Sequence, residues 1–218
     1  WSSDVCSSDL IHQLTKTFGD RTVFSDLNLN FDAGKVYALI GNSGCGKTTL
    51  LNMLAKLEPY DQGSIQYKGK DLRKIKPTNY FRYELGYLFQ NFGLIDNKTV
   101  SENLDLGLIG HKLDKQKKRE TKEEVLDRVG LSYIQLDQKV YELSGGEAQR
   151  VALAKIILKD PPLILADELT AALDPETSQE IMDLLLTLKN KERLIIIATH
   201  NPTIWKQADQ VVSLKISQ

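Results

Sequence analysis

The residues with most chemistry to offer are Gly41-Asn42-Ser43-Gly44-Cys45-Gly46-Lys47-Thr48, with Thr49 directly after them. Glycines in such a loop let several backbone N–H groups converge on one anion, because no Cβ stands in the way. The spacing G-x-x-x-x-G-K-[ST] is that of a phosphate-binding loop. In that pattern Lys47 reaches the β- and γ-phosphates of a nucleoside triphosphate, and the Thr48 hydroxyl ligates Mg²⁺. Cys45 reads as a small residue whose backbone does the work. A helix N-terminus can lower a thiol pKa, so a reactive thiol is the alternative there.

A second glycine-rich turn, Leu143-Ser144-Gly145-Gly146-Glu147, opens a predicted helix from about Glu147 to Lys159. The Ser144 hydroxyl, the N–H groups of Gly145 and Gly146 and the helix dipole make another anion cradle. A helix N-cap with two permissive glycines explains Ser144, but not the whole block. One triphosphate does not need two such surfaces in one subunit, so the pair predicts a site completed by a second copy of the chain.

Four further candidates follow apolar runs. Leu163-Ile164-Leu165-Ala166 leads into Asp167-Glu168. A carboxylate at that strand end can hold the Mg²⁺ shell, which is the role of Asp167. Glu168, one step further, could polarise an attacking water. Alone, two acids after an apolar strand could be no more than a solubilising strand end; beside a phosphate loop they are candidates for catalysis. His200 follows the run Leu194–Thr199, and Gln90 closes the run from Gly86. A lone histidine is more often structural, but in open parallel sheets ligands gather outside the strand ends. His200 is therefore read as a γ-phosphate contact or as orienting water, and Gln90 as touching Mg²⁺ or water.

Positioning these residues requires strands that end at one edge. Val36–Ile40 reads as a buried strand running into the loop, with a helix from Lys47 to Leu57 behind it. Ile11 to Phe31 alternates around Gly19-Asp20, suggesting antiparallel strands, and Gly63–Lys68 supplies another. The middle, about 91–159, reads as mostly helical, with Thr121 and Glu124 as a capping box. Pro161-Pro162 ends that stretch, and strands at Leu163–Ala166, Leu194–Thr199 and Val211–Lys215 alternate with a helix at Glu176–Leu188 and a short one after Pro202. Such alternation predicts an α/β fold with a parallel sheet and covered faces.

The 218 residues are 41% hydrophobic and 26% charged, enough to bury a core without staples. A net charge of -1 gives no electrostatic reason to expect nucleic acid. The lysines from Lys112 to Lys122 interleave with Glu120, Glu123 and Glu124 and read as a solvated helical face. Two cysteines exclude a disulfide framework. The apolar runs fall far short of the roughly 20 residues that span a bilayer.

These motifs, in this order, resemble the ATP-binding subunit of an ABC transporter from Ile11 to Ser217. The resemblance implies a P-loop NTPase fold, a RecA-like parallel-sheet core with an antiparallel β lobe and an α-helical lobe inserted at about 91–159. It implies Phe18 as the adenine-stacking aromatic, Gly41–Thr48 with Thr49 as the ATP and Mg²⁺ loop, and Gln90 as the Q-loop residue. Ser144, Gly145 and Gly146 become the signature, Asp167 and Glu168 the metal-holding and catalytic acids, Leu173-Asp174 the D-loop and His200 the switch histidine. Lys47, Glu168 and His200 are then the catalytic residues, and Thr48, Gln90 and Asp167 the metal ligands. Leu169 departs from the family's usual proline and frees a backbone constraint; Ala171 stands near where Gly or Ser is usual.

The implied protein is an ATPase at the cytoplasmic face of a bacterial cell membrane. It works as a head-to-tail dimer on a separate integral-membrane permease, with no nucleic-acid partner. Phe92, Leu94 and Ile95 are candidates for permease contact or, equally, for lobe core. Tyr87–Asp96 is most similar to the macrolide-export and lipoprotein-release branch, and its wording to exporters of lactococcin-972-type bacteriocins. A regulatory ATPase that signals through a membrane partner without moving cargo is the alternative. A single set of motifs and no heptads argue against the soluble translation and repair members.

The chain opens on Trp1, and Val5-Cys6-Ser7-Ser8-Asp9-Leu10 can be spelled GTG TGC TCT TCC GAT CT, which resembles a sequencing-library adapter. Residues 1 to about 10 are therefore expected to be non-native and are set apart from the domain at 11–218. Sequencing the intact gene is expected to replace this stretch. Finding it still encoded there would remove the expectation.

Overall fold

The computed structural model describes residues 9–171 and 173–215. Of the stretch expected to be adapter-derived, residues 1–8 lie outside the described residues. The chain divides into two compact units. The first takes in the chain up to Leu85, then Pro162–Asp167 and Lys189 onward; the second takes in Gly86–Pro161 and Glu168–Leu188. The first unit holds β1 (Asp9–Phe18), β2 (Arg21–Phe31), β3 (Val36–Ile40), α1 (Lys47–Leu54), β4 (Gln62–Tyr67), β5 (Lys70–Asp71) and the short α2 (Pro77–Asn79). Strand β6 (Leu85–Leu88) leads into the second unit and α3 (Val100–Asp105), α4 (Lys115–Arg128) and α5 (Gly145–Lys159). The chain returns for β7 (Leu163–Asp167), leaves for α6 (Pro175–Leu186), and finishes with β8 (Leu194–Ala198), α7 (Pro202–Trp205) and β9 (Gln210–Ser213).

In the first unit, parallel strands run in the order β7-β8-β3-β9. Val36 to Leu39, Leu163 to Asp167 and Leu194 to Ala198 are buried at every position. That unbroken burial is why they read as continuous apolar runs rather than alternating ones. The register sets Leu39 opposite Ala198 and Ala198 opposite Asp167, so three strands finish level. Helix α1 buries Leu50, Leu51, Met53 and Leu54 and packs on β7 and β8. An antiparallel sheet in the order β2-β1-β4-β5 completes this unit. In that sheet the buried Lys16 ammonium is matched: it lies 2.6 Å from Glu58 and 4.4 Å from the Phe18 ring centroid.

The second unit is organised around helices. Val100, Leu104, Val125, Leu126, Val129, Val151, Ala154 and Leu158 form its apolar core, joining α3, α4 and α5. Asn103 is fully buried there. Its amide donates to the carbonyls of Ile95 (3.1 Å) and Thr99 (3.0 Å), and its oxygen accepts from the Ile95 N–H at 2.8 Å.

Several local expectations are corrected. Helix α1 stops at Leu54, because Lys56 takes a left-handed φ of 59° that ends the helical run. Strand β6 stops at Leu88, leaving Gln90 in a turn beyond it. Thr121 caps nothing, since α4 starts at Lys115 with the Asp114 side chain accepting from the Lys117 N–H. Lys122 is not on a solvated face: it is buried, 2.7 Å from Asp105 and 2.8 Å from the Ser101 hydroxyl. The glycines Gly145 and Gly146 lie inside the first turn of α5 rather than before it.

Leu165 is fully buried in β7. Leu165→Ala is expected to lower the unfolding free energy by about 2–5 kcal/mol, measured by urea denaturation.

Candidate functional site

In the first unit the site is built from the loop between β3 and α1. Gly41 (φ 151°) and Gly46 (φ 97°) both sit where side chains are strained. A Cβ on Gly41 would stand 2.6 Å from the Leu214 carbonyl oxygen and from the Cys45 sulfur. One on Gly46 would stand 2.5 Å from Phe24 and 2.6 Å from Val23. Gly46 is also the N-cap of α1, so no side chain caps this helix, and its first turn carries no acid. The amide groups that open a helix have no intrahelical acceptor, so a helix start without a side-chain cap is of the kind that binds anions.

Lys47 is buried and donates to the Gly41 carbonyl at 2.9 Å. The Thr48 hydroxyl donates to the Asp167 carboxylate at 3.1 Å. Sequence positions far apart are thus joined where β3 and β7 end. Cys45 is a buried free thiol, and its N–H donates to the Asn42 carbonyl at 3.1 Å. Burial favours the reading in which its backbone, not its sulfur, is used. His200 is exposed, two residues beyond β8. Phe18 is 47% exposed and pairs with Arg21 at the tip of the β1–β2 hairpin. Arg21 donates to the Gly44 carbonyl at 2.7 Å, which brings the tip, and Phe18 with it, beside the loop.

The other candidates belong to the second unit. Gln90 and Asn91 share a turn in which the Phe92 N–H donates to the Phe89 carbonyl at 3.0 Å. Ser144 is the N-cap of α5 and forms a capping box with Glu147. Its N–H and its hydroxyl each donate to the Glu147 carboxylate at 2.8 Å, and the Tyr133 hydroxyl donates to the same group at 2.9 Å. The Ser144 backbone bond, more than any other, lowers the Glu147 pKa. The start of α5 therefore carries an acid in its own first turn, whereas that of α1 does not.

Gly146 packs against α6, where a Cβ would stand 3.1 Å from Thr177. Asp174 is the N-cap of α6, and the Thr177 N–H that it accepts at 3.0 Å lowers its pKa. Glu168 takes a left-handed φ of 46° immediately after β7, and its carbonyl accepts the Ala171 N–H at 3.0 Å. Leu169, at the position of the family's proline, is buried. Leu94 packs on the helical core, as the core alternative has it, while Ile95 is 45% exposed.

Arg21, Tyr133 and Lys155 escaped the sequence reading. None sits in a motif, and each is joined to the site by a long-range bond; Lys155 donates to the Gly93 carbonyl at 2.6 Å.

A model of the ABC transporter family matches residues 24–171. The chain belongs to that family. It is 37% identical over 207 residues to "Methionine import ATP-binding protein MetN" of Clostridium acetobutylicum, covering 94% of this chain and 64% of the relative. It is 34% identical over 199 residues to "Macrolide export ATP-binding/permease protein MacB" of Pasteurella multocida, covering 90% of this chain and 30% of that protein. The chain thus spans less than two thirds of these curated relatives. Its fold matches the ATP-binding cassette MJ0796, solved as a dimer in a post-hydrolysis state with ADP and Pi. The TM-score is 0.86 at 28% identity, over 96% of this chain and 97% of the other. The chain carries the family's ATPase domain, with the parallel and antiparallel sheets expected of it.

Gly46→Ala forces a side chain into the Phe24–Val23 contact and strains the cap of α1. It is expected to weaken ATP binding at least tenfold, measured by calorimetry, while leaving the circular dichroism spectrum unchanged.

Proposed function

We propose that the chain binds and hydrolyses Mg-ATP as the nucleotide-binding subunit of an ABC transporter. It works as a head-to-tail dimer on a separate integral-membrane permease at the cytoplasmic face of a bacterial cell membrane. The observation that carries this is the uncapped start of α1, with Thr48 hydrogen-bonded to Asp167 at 3.1 Å beside it. In this reading 11–218 is one ABC-type domain with a helical lobe at about 91–159, and residues 1 to about 10 are non-native.

The residues present fit the ligands. Gly41, Asn42, Ser43, Gly44, Cys45, Gly46 and Thr49 offer backbone and hydroxyl donors to phosphate, and Lys47 turns its ammonium from Gly41 to phosphate oxygens. Phe18 stacks on adenine. Among the described residues no group of three or more His, Cys, Asp and Glu could hold a metal. A Mg²⁺ ion fits without one, since it takes one or two side chains and completes its shell with phosphate oxygens and water. Thr48, Asp167 and Gln90 would hold it, and it would neutralise charge on the β- and γ-phosphates.

Glu168 accepts a proton from, or polarises, the attacking water, and His200 orients that water or the γ-phosphate. Ser144, Gly145 and Gly146 of one copy close over ATP held by the other, with Asp174 at the same interface. To do so the Ser144 hydroxyl exchanges the Glu147 carboxylate for phosphate. The similar solved cassettes are described as dimeric. Like many cyclic dimers, such a pair is isologous, so the contact between one copy's phosphate loop and the other's Ser144 turn occurs twice.

No helix among the described residues is long and apolar enough to cross a membrane. Relatives named for import and for export both resemble the chain. The proposed cargo, a bacteriocin-like peptide or lipid-linked substrate for export, rests on the Tyr87–Asp96 wording. Cargo transport into sealed vesicles with the co-purified permease separates this from a purely regulatory ATPase.

Glu168→Gln is expected to give an ATP-stabilised dimer by light scattering with almost no turnover. Ser144→Arg is expected to abolish hydrolysis while sparing ATP binding. Wild-type turnover in Glu168→Gln would refute the role of Glu168, and loss of binding in Ser144→Arg would return that motif to its own subunit's site.

A further inference from the structure

The turn after Gln90 has an unusual backbone. Phe92 and Gly93 are consecutive left-handed residues, at φ 67° and 61°. A phenylalanine in that region costs energy and persists only where its surroundings over-determine it. Two side chains do so from different helices. On α3, Asn103 holds both backbone groups of Ile95. On α5, Lys155 donates to the Gly93 carbonyl at 2.6 Å.

Lys155 is a costly choice for that task. It is partly buried and makes no ion pair among the described residues. Burial, with the nearby charge of Lys159, pushes its pKa down to about 8. An apolar residue would fill the same space without that penalty. What the ammonium adds is a charge-assisted bond to one backbone carbonyl. The same turn also approaches the start of α5, where a Cβ on Gly145 would stand 3.8 Å from the Phe92 ring. The turn therefore meets α5 at its first residue and again at Lys155.

We propose that Lys155 is a positioning residue: by holding the Gly93 carbonyl it fastens the turn after Gln90 to the helix that begins at Ser144. The two candidate ATP-sensing elements of the second unit then move as one piece. A shift of Gln90 on nucleotide binding is delivered to the Ser144 surface, and the reverse. This rests on the roles given above to Gln90 and Ser144. Lys155 touches neither nucleotide nor metal.

The test compares the full chain with Lys155→Met and Lys155→Arg, first by amide hydrogen exchange without nucleotide. Lys155→Met is expected to exchange about tenfold faster at residues 91–95, the scale of one lost charge-assisted hydrogen bond, with α4 and the rest of α5 unchanged. Lys155→Arg keeps the donor and is expected to restore protection. With ATP, Lys155→Met is expected to keep its affinity and to lose about tenfold in kcat, again recovered by Arg.

Unchanged exchange at 91–95 in Lys155→Met overturns the proposal. So does faster exchange spread over the whole second unit, which would make Lys155 a general core residue. If Lys155→Met does not fold, Lys155→Gln replaces it under the same criteria. A wild-type chain without ATPase activity would defeat the proposed function but leave the exchange result standing, so the two failures are distinguishable.

Discussion

No side chain caps α1, and much of the first unit is arranged to keep that helix start in place. Gly46 holds a left-handed φ of 97° with Phe24 and Val23 closed against it. Arg21 secures the Gly44 carbonyl and Lys47 the Gly41 carbonyl. Val36 to Leu39 behind the loop, and β7 and β8 beside them, are buried at every position, which holds its root in place. A concave set of amide groups binds phosphate well only if it needs no rearrangement, and this packing supplies the rigidity.

The contrast with α3 to α7 is informative, although the three-residue α2 also lacks a side-chain cap. Thr99, Asp114, Ser144, Asp174 and Asn201 each place a side chain on the opening amides of α3 to α7. By itself, then, the start of α5 is a satisfied helix end with a carboxylate in place. An incoming phosphate there competes with Glu147, whereas no side chain caps α1 and its first turn carries no acid. The two glycine-rich motifs look alike as strings of letters, yet one is open and the other closed by its own third helical residue. That difference suits a surface that engages only when a second subunit brings its nucleotide.

Legibility in the sequence followed the range of the interactions. Val36–Ile40 was readable to the residue, because an apolar run bounded by a glycine loop leaves little freedom. The places of Asp167 at the end of β7 and Lys47 at the start of α1 were readable because motif spacing encodes them. Thr121 misled, since a Thr-x-x-Glu pattern inside a helix is indistinguishable by letters from one at its start. The competing cap at Asp114 decided the matter. Gln90 was placed on a strand because periodicity does not mark where pairing stops. Arg21, Tyr133 and Lys155 could not be read, because their partners lie 23, 14 and 62 positions away and no local pattern points to them.

The parallel register also bears on how the molecule comes into being. Strand β3, which feeds the phosphate loop, lies between β8 and β9, and both of those come from beyond residue 190. During synthesis the loop and its strand emerge early and then wait, with both edges unpaired, until nearly all of the described chain has left the ribosome. Such an interval exposes an apolar strand to misassociation, and pairing over such distances is slow to form. A growing chain thus carries the motif long before it carries the two strands that flank β3.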